Sequence, residues 1–382
     1  MFALLLIEFL DEFVFGATEA AWPLIRDDLS LSYVQIGVLL SLPGIISSLI
    51  EPIFGILSDT WRRRVLILGG GVAFGLSALF TSASQSFLPL LLTFIMFYPA
   101  SGAFVSLSQA ALMDSDPARR EKNMARWTFA GSVGVVAGPL ALSAAVAARI
   151  GWRGLFVIFG AITFLLLAGV WRMPFENGKS HDDEEPLTFR AGLKNAAQAL
   201  KRRDVVRWLA LLQFSDLMLD FLYGLLALYF VDVVGVSPGE AGFAVAVWTG
   251  VGLVGDFLLI PLLERVRGLS YLRVSAAITL VLFPAFLLIP GVPLKLALLA
   301  VLGFFNSGWY AILQAQLYES LPGQSGTALA ANNVSGLVGS LIPLGLGLVA
   351  QQAGLDAAMW LLLAGPIALL IGIPRDRVAR QE

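Results

Sequence analysis

The sequence predicts an all-α membrane protein with twelve transmembrane helices, arranged as two six-helix halves related by pseudo-symmetry. Three observations lead to this fold class: the apolar composition, the recurrence of apolar runs along the whole chain, and an internal repeat. Hydrophobic residues make up 58% of the 382 residues and charged residues only 14%, whereas a soluble domain is nearer half apolar and a quarter charged. The chain therefore has more apolar surface than a soluble core could bury.

The apolar runs are about twenty residues long, which matches the hydrocarbon thickness of a bilayer. Lipid offers the backbone no hydrogen bonds, so runs of this length are predicted to be helices. The first run has no basic start and contains four acidic residues, which indicates a membrane span rather than a signal peptide. The predicted spans are residues 2–22, 33–58, 65–83, 88–113, 128–149, 152–173, 206–231, 241–262, 272–290, 294–318, 326–350 and 355–374.

One long polar segment, residues 174–205, separates the first six spans from the last six. It predicts an N-terminal half over residues 1–173, a linker with an amphipathic helix on the membrane surface, and a C-terminal half over residues 206–382. Lys and Arg concentrate in the linker, in alternate loops and in the tail, and basic loops stay on the cytoplasmic side. Both termini and the linker are therefore expected in the cytoplasm. Short loops and the absence of cysteine favour the plasma membrane of a prokaryote, its inner membrane.

The internal repeat appears when the chain is aligned with itself at an offset of 205 residues. The matches include rare residues: Asp11 with Asp216, Asp27 with Asp232, Glu51 with Asp256, Arg62 with Arg267, Gly131 with Gly336, and Gly134 with Gly339. Matched acids within apolar spans indicate a duplication. Two parallel six-helix halves predict a substrate site near the midplane between them and transport by alternating access.

Acidic residues within the spans are the main candidates for proton coupling or substrate binding. Each costs about 3 kcal/mol at the bilayer centre, so it must face water or be protonated. An apolar environment disfavours the charged form, which lets such groups exchange protons near neutral pH. The candidates are Asp11, Glu12, Asp216, Asp220, Glu8, Glu51 and Asp256. Glu51 and Asp256 suit a gate or a packing role equally well, and Glu8 and Glu19 are expected to be solvated near a cavity mouth.

Aromatic and amide residues within the spans are candidates for the rest of a cavity lining, because aromatic faces bind organic cations. Aromatic residues near span ends also serve as interfacial anchors, and this alternative stays open. The candidates are Tyr98, Tyr223, Trp248, Asn306, Trp309, Tyr310 and Gln314.

The loop between spans two and three, residues 55–64, reads Gly-Ile-Leu-Ser-Asp-Thr-Trp-Arg-Arg-Arg. It resembles the loop signature of the major facilitator family, which implies the major facilitator fold. The resemblance implies that the glycine lets helices approach, the aspartate caps the next helix, and the arginine pair holds a cytoplasmic gate. Gly55, Asp59, Arg63 and Arg64 match those positions, and Glu264 and Arg267 form a weaker second copy. Thr60 and Arg62 depart from the family pattern, and the alternative is a plain basic cytoplasmic loop.

Span five contains Gly131, Gly134, Gly138 and Pro139. This run resembles the glycine-rich signature of drug:proton antiporters, although Leu142 stands near where that signature has a later glycine. Glycines at this spacing also serve ordinary helix contacts. The first two spans resemble the fosmidomycin-resistance branch of these exporters. Span four lacks the arginine that many such exporters carry, so coupling here cannot depend on it.

The resemblance and the acids together predict a secondary transporter that exports hydrophobic, cationic or neutral amphipathic molecules in exchange for protons. The proton gradient would supply the energy, with no cofactor, no metal site and no nucleic-acid partner, and the chain is expected to be a monomer in the lipid bilayer. Two alternatives remain: a carrier of a metabolite or a hard metal cation using the same carboxylates, and, more distantly, a receptor or scaffold. An enzyme is not expected, because the chain has no cysteine, no intramembrane histidine, and no HExxH or GxSxG motif.

Overall fold

Helices form wherever the sequence has its long apolar runs, because only intrahelical hydrogen bonds satisfy the backbone in lipid. The computed structural model describes residues 2–60, 63–115, 120–171, 198–321 and 325–374. The first half contains α1 (Phe2–Leu29), α2 (Tyr33–Thr60), α3 (Arg63–Ala83), α4 (Phe87–Ser101), α5 (Leu107–Ser115), α6 (Arg120–Ala147) and α7 (Gly151–Val170). A π-helical segment, Gly102–Ser106, joins α4 to α5.

The helices after the predicted linker follow a similar order with more interruptions. It contains α8 (Arg203–Asp216), α9 (Leu222–Tyr229), α10 (Pro238–Leu263), α11 (Gly268–Leu288), α12 (Val292–Asn306), α13 (Trp309–Ser320), α14 (Ser325–Gly339), α15 (Ile342–Ala353), α16 (Leu355–Leu361) and α17 (Ala364–Gly372). Two π-helical segments, Leu217–Phe221 and Phe230–Val234, precede and follow α9.

The predicted fold class is confirmed: the described residues are helical without strands, and eleven helical segments are long and apolar enough to cross a membrane. Helix α1 is not among the eleven, because its acids lower its apolar character. The predicted end of span one at residue 22 was wrong, because the first helix continues to Leu29. The tenth, eleventh and twelfth spans each consist of two helices with a short break between them. Most of the predicted linker, including His181, lies outside the described residues, so the division into halves stays a prediction.

The helix bounds repeat at the same 205-residue offset as the sequence. Helix α3 and helix α11 start and end 205 residues apart, as do α4 and α12. Reciprocal capping boxes, in which a side chain and a backbone N–H three residues apart bond each other, begin α2 and α10 at equivalent positions. Ser32 and Gln35 form the first box, and Ser237 and Glu240 form the second. The duplication therefore extends to local structure.

The chain divides into two compact units. The first unit comprises Met1–Pro186, Gly224–Thr249 and Ser340–Ala358, and the second comprises Leu187–Tyr223, Gly250–Gly339 and Met359–Glu382. In the first unit, α1 packs along α6, α3 packs against α4 and α7, and α2 packs against α15. In the second unit, α8 packs against α13, α14 and α17, and α11 packs against α12 and α17.

Candidate functional site

The acids of α1 lie against the glycines of α6 in the first unit. A Cβ atom at Gly131 would lie 2.5 Å from a carboxylate oxygen of Glu8, and one at Gly134 would lie 2.5 Å from the Phe9 carbonyl oxygen and 2.9 Å from Cβ of Glu12. At Gly134 only glycine allows this approach, because a side chain would occupy the volume of the α1 backbone, whereas at Gly131 the neighbouring atom is the end of the flexible Glu8 side chain. The two glycines thus leave space for Glu8 and Glu12 at the interface between α1 and α6.

The glycine signature of span five continues this contact. A Cβ atom at Gly138 would lie 2.4 Å from the backbone nitrogen of Ala17. Pro139 follows within α6, and its carbonyl accepts a hydrogen bond from the Ser143 hydroxyl at 3.0 Å. The run predicted from its resemblance to antiporters therefore forms the α1–α6 contact, which is the packing role that the sequence also allowed.

Two acids from different helices reach the point where α4 passes into its π-helical segment. Asp11 accepts a hydrogen bond from the Ser101 hydroxyl at 2.8 Å. Glu51 accepts one from the Ser47 hydroxyl at 2.6 Å. A Cβ atom at Gly102 would lie 2.7 Å from Cγ of Glu51. Asp11 and Glu51 thus contact adjacent residues of one helix end, so the structure brings these two predicted site residues together.

The second unit carries the acid pair of span seven. Asp216 is the last residue of α8, and Asp220 lies in the π-helical segment Leu217–Phe221 that follows. Asp216 is half-buried and Asp220 is exposed. Tyr310 is an exposed residue at the start of α13, the helix that packs against α8. The acid pair and this phenol therefore lie on neighbouring elements of the second unit.

Asp256 occupies the position in the second unit that Glu51 occupies in the first. It accepts a hydrogen bond at 2.9 Å from the backbone N–H of Gly308. Gly308 has φ of +72° and precedes α13, so a carboxylate sits at the amino end of a helix, where the dipole stabilises negative charge. Glu51 therefore contacts the interruption of span four, and Asp256 contacts the interruption of span ten.

Glu8 and Glu19 are buried rather than solvated, which corrects the expectation from their position. Their relative exposures are 9% and 4%. Glu19 accepts a hydrogen bond from the Trp22 indole N–H at 3.1 Å, and a Cβ atom at Gly224 would lie 3.1 Å from the carboxylate. From sequence position alone, these acids were placed near the mouth of a cavity. The space that Gly224 leaves for the Glu19 carboxylate depends on a contact between distant residues, which the sequence does not show.

A polar cluster that the sequence did not single out as a site lies at one end of the first unit. Arg26 donates to Asp232 and to Asp27, and Tyr33 donates its hydroxyl proton to Asp232. The Gln351 side-chain oxygen accepts the Tyr33 backbone N–H at 3.2 Å. These residues lie at the ends of spans one, two, seven and eleven that are predicted to face away from the cytoplasm, and we call the cluster the outer latch. The repeat pairs Asp27 with Asp232, and that match was the available signal.

Two glycine crossings lie beside the outer latch. A Cβ atom at Gly37 on α2 would lie 2.7 Å from the Pro343 carbonyl oxygen on α15. A Cβ atom at Gly242 on α10 would lie 3.1 Å from the Pro139 carbonyl oxygen on α6. Gly37 and Gly242 are equivalent under the repeat. The same crossing therefore joins spans two and eleven and, again, spans eight and five.

The residues proposed to line a cavity have different environments. Asn306 and Trp309 are in the core of the second unit, with relative exposures of 2% and 0%. The Trp309 indole N–H donates to the Ser275 hydroxyl at 2.8 Å. The remaining candidates are divided: Tyr223 and Trp248 are buried, Tyr98 and Gln314 are half-buried, and Tyr310 is exposed. Of the seven, Tyr310 lies on α13, which packs against the helix that ends at Asp216.

The predicted gating loop is described only in part. Gly55 and Asp59 lie in α2, and the Asp59 side chain, like Arg62, lies outside the described residues. Arg63 is buried at the start of α3, and Arg64 donates to the Trp171 carbonyl. In the second copy, Glu264 and Arg267 are exposed, and Arg267 lines a groove of ≈ 480 Å³ between the start of α11 and α13. The gating role stays a prediction.

Within the described residues, no group of three or more His, Cys, Asp or Glu side chains is placed to hold a metal ion. The acids of the first unit instead bond to serine hydroxyls and pack on glycine, and Asp256 bonds to a backbone amide.

The described residues form helices that are long and apolar enough to cross a membrane, with acids inside the spans. The chain belongs to the Major Facilitator Superfamily, whose sequence model matches residues 4–344.

Solved structures of transporters share the fold. A bacterial homolog of the human lysosomal transporter Spinster, in an inward-facing and occupied conformation, has a TM-score of 0.74 at 17% identity over 97% of this chain and 94% of its own. The nucleoside transporter NupG has a TM-score of 0.78 at 14% identity over 97% of both chains. The POT family transporter PepTSo has a TM-score of 0.72 at 14% identity over 97% of this chain and 95% of its own. At these identities the likeness shows the fold alone.

A curated relative shares part of the sequence. The chloramphenicol resistance protein of Pseudomonas aeruginosa is 33% identical over 125 residues, which is 31% of this chain and 29% of that protein. The match thus spans under a third of the relative's length.

Proposed function

We propose that the chain is a proton-coupled exporter of hydrophobic small molecules, cationic or neutral, that works by alternating access in a prokaryotic inner membrane. Asp11 and Asp216, which are equivalent under the repeat, exchange protons for substrate, and Glu12 and Asp220 are their nearest acidic neighbours in the sequence. The proton gradient is the energy source.

The observation that carries the proposal is the placement of carboxyl groups within spans that have no basic residue. Residues 2–25 and 208–263 contain neither Lys nor Arg. Asp11 has a serine hydroxyl as its hydrogen-bond donor, and a neutral donor offsets the cost of a buried charge less than a cation does. A carboxyl group in this setting changes protonation when a cation or water reaches it, which is what exchange of protons for substrate requires.

The substrate class follows from charge and from the partial relative. Acids in segments that contain no Lys or Arg attract cations and disfavour anions. Chloramphenicol is an uncharged amphipathic molecule, so the resistance protein that shares 125 residues with this chain supports the neutral part of the class. The absence of a carboxylate cage among the described residues gives the metal-cation alternative no support.

The test is proton release from detergent-purified protein in a weakly buffered solution, on addition of chloramphenicol or of tetraphenylphosphonium, a lipophilic cation. Wild type should release protons with at least one of the two compounds. Asp11→Asn or Asp216→Asn should abolish the release. The matched control is Asp204→Asn, because Asp204 is an exposed acid at the start of α8 that bonds Arg202.

Release that persists in both site variants would refute the role of these acids. Binding of a compound without proton release would refute proton coupling. Proton release by a divalent metal salt or by a polar metabolite, with neither drug active, would replace the proposal with the carrier alternative.

A further inference from the structure

Span seven changes its helical geometry between its two acids. Asp216 ends α8, and the next residues, Leu217–Phe221, are π-helical and include Asp220. The Leu222 N–H donates to the Leu217 carbonyl, five residues earlier, instead of four as in an α-helix. Such a turn holds one extra residue, so it sets how Asp220 and all later residues are rotated relative to Asp216. π-Turns inside α-helices are frequent at functional sites.

A side chain from another helix holds this π turn. Asn306, the last residue of α12, donates from Nδ2 to the Met218 carbonyl at 3.1 Å. Its Oδ1 accepts a hydrogen bond from the Thr279 hydroxyl on α11, also at 3.1 Å. Asn306, Met218 and Thr279 are all buried. The amide therefore has one orientation in which both bonds form, and three helices meet in it.

The residue at the equivalent position, 205 residues earlier, also bonds to an acid-bearing span, although to a different acceptor. Ser101 precedes Asn306 by 205 residues, as Asp11 precedes Asp216. Ser101 donates directly to Asp11. Ser101, where span four is interrupted, thus bonds to the acid-bearing part of span one. Asn306, where span ten is interrupted, bonds to the acid-bearing part of span seven. Ser101 bonds the Asp11 carboxylate itself, whereas Asn306 bonds the Met218 backbone carbonyl, two residues after Asp216.

We propose that Asn306 is a positioning residue: braced by Thr279, its amide fixes the π turn of span seven at Met218 and so fixes the placement of Asp216 and Asp220. This inference rests on the proposed function only for what the two acids do. The titratable groups on the helices packed against α8 are Tyr310, Tyr318 and Glu319 on α13, because α14 and α17 contain none. The alternative is that the hydrogen bonds of Asn306 to Met218 and Thr279 only stabilise the second unit.

A positioning role and a purely stabilising role predict different results when the Asn306 amide is removed. Only the positioning role predicts that the pH at which Asp216 and Asp220 are protonated will change. We would measure the infrared carboxylic C=O band of detergent-purified protein over a pH series without substrate, and assign it with Asp216→Asn and Asp220→Asn. Asn306→Leu removes both bonds at nearly constant volume. It should move the band's midpoint by about one pH unit, because a shift in the distance or solvation of two neighbouring carboxyl groups changes their proton affinity by about tenfold.

Companion variants separate positioning from stability. Thr279→Val removes only the brace and should move the midpoint in the same direction by less, and it carries the test if Asn306→Leu does not fold. Asn306→Gln keeps the amide and should restore part of the wild-type midpoint. The matched control is Thr163→Val, because Thr163 is equally buried and its hydroxyl bonds only the Phe159 carbonyl of its own helix.

A midpoint unchanged in Asn306→Leu and in Thr279→Val, with melting temperatures that fall as in the control, overturns the inference. The inference is supported if the midpoint moves more in Asn306→Leu than in Thr279→Val and does not move in the control. Proton release on adding substrate tests the proposed function separately. A moved midpoint in a protein that releases no protons with substrate would leave the positioning role standing and refute the coupling role.

Discussion

Replacing Gly37 by alanine should open the contact between α2 and α15. The new Cβ atom would lie 2.7 Å from the Pro343 carbonyl oxygen and 2.9 Å from Cα of Leu344. Both neighbours are backbone atoms of a helix, so neither can rotate away. Ordinary contacts of a Cβ atom begin at 3.4 Å, so the two helices must separate by about 0.7 Å at this crossing.

Overpacking of this kind costs about 1–3 kcal/mol. Only the arrangement in which α2 and α15 touch bears this cost, because the helix itself accepts alanine better than glycine. The equilibrium between the touching and the separated arrangements should therefore move by about 5- to 150-fold toward separation.

The chain contains no cysteine, so one introduced thiol reports on this contact. Ser41 is suited to it, because it is 2% exposed and its hydroxyl accepts the Leu344 backbone N–H at 3.1 Å. The assay is the rate of maleimide labelling of Ser41→Cys in purified protein, with and without Gly37→Ala. The control is Gly44→Ala, whose Cβ atom has only the Ser340 hydroxyl near it, at 3.9 Å.

Labelling should accelerate with Gly37→Ala and stay within about twofold of the parent with Gly44→Ala, since the second substitution changes helix propensity alone. Equal rates in the parent and in both variants would refute the reasoning that this crossing holds the two helices together. Equal acceleration by both variants would show that helix propensity, not the close approach, sets the rate.

Two further predictions concern the outer latch and the α1–α6 contact. Asp232→Asn should raise the same labelling rate by less than Gly37→Ala does, because Arg26 keeps Asp27 as a partner and a surface pair contributes at most about 1 kcal/mol; an unchanged rate at low ionic strength would contradict a latch. Gly134→Val should lower the melting temperature of the purified protein, since its side chain must displace the α1 backbone at a cost of about 1–3 kcal/mol. Gly69→Ala is the control for that measurement, because nothing lies within 4 Å of its Cβ position, and equal melting temperatures in both variants would count against the contact.

Much of the fold followed from the sequence because its causes are local or periodic. Apolar runs of bilayer length are helices wherever they occur, and the offset that pairs Asp11 with Asp216 also pairs the bounds of α3 and α11. The acids within the spans stood out because the bilayer makes each of them costly.

The sequence could not reveal contacts between residues that are distant along the chain. It indicated that Glu19 was solvated, whereas the carboxylate is buried against Gly224, some 200 residues away. It grouped Asn306 with cavity-lining residues, whereas the amide bonds two other helices inside the second unit. The π turn beside Asp216 was also beyond prediction, because its geometry depends on that amide.

The sequence by itself therefore determined the class of protein, the duplicated plan and the set of acids, because hydropathy, repeat spacing and the cost of buried charge act at single positions or at fixed intervals. Tertiary structure alone decided which glycine meets which backbone, and which acid has a hydroxyl, an amide or an indole as its donor. Those pairings depend on how separate helices pack, and close packing fixes them to fractions of an ångström that no one-dimensional pattern encodes.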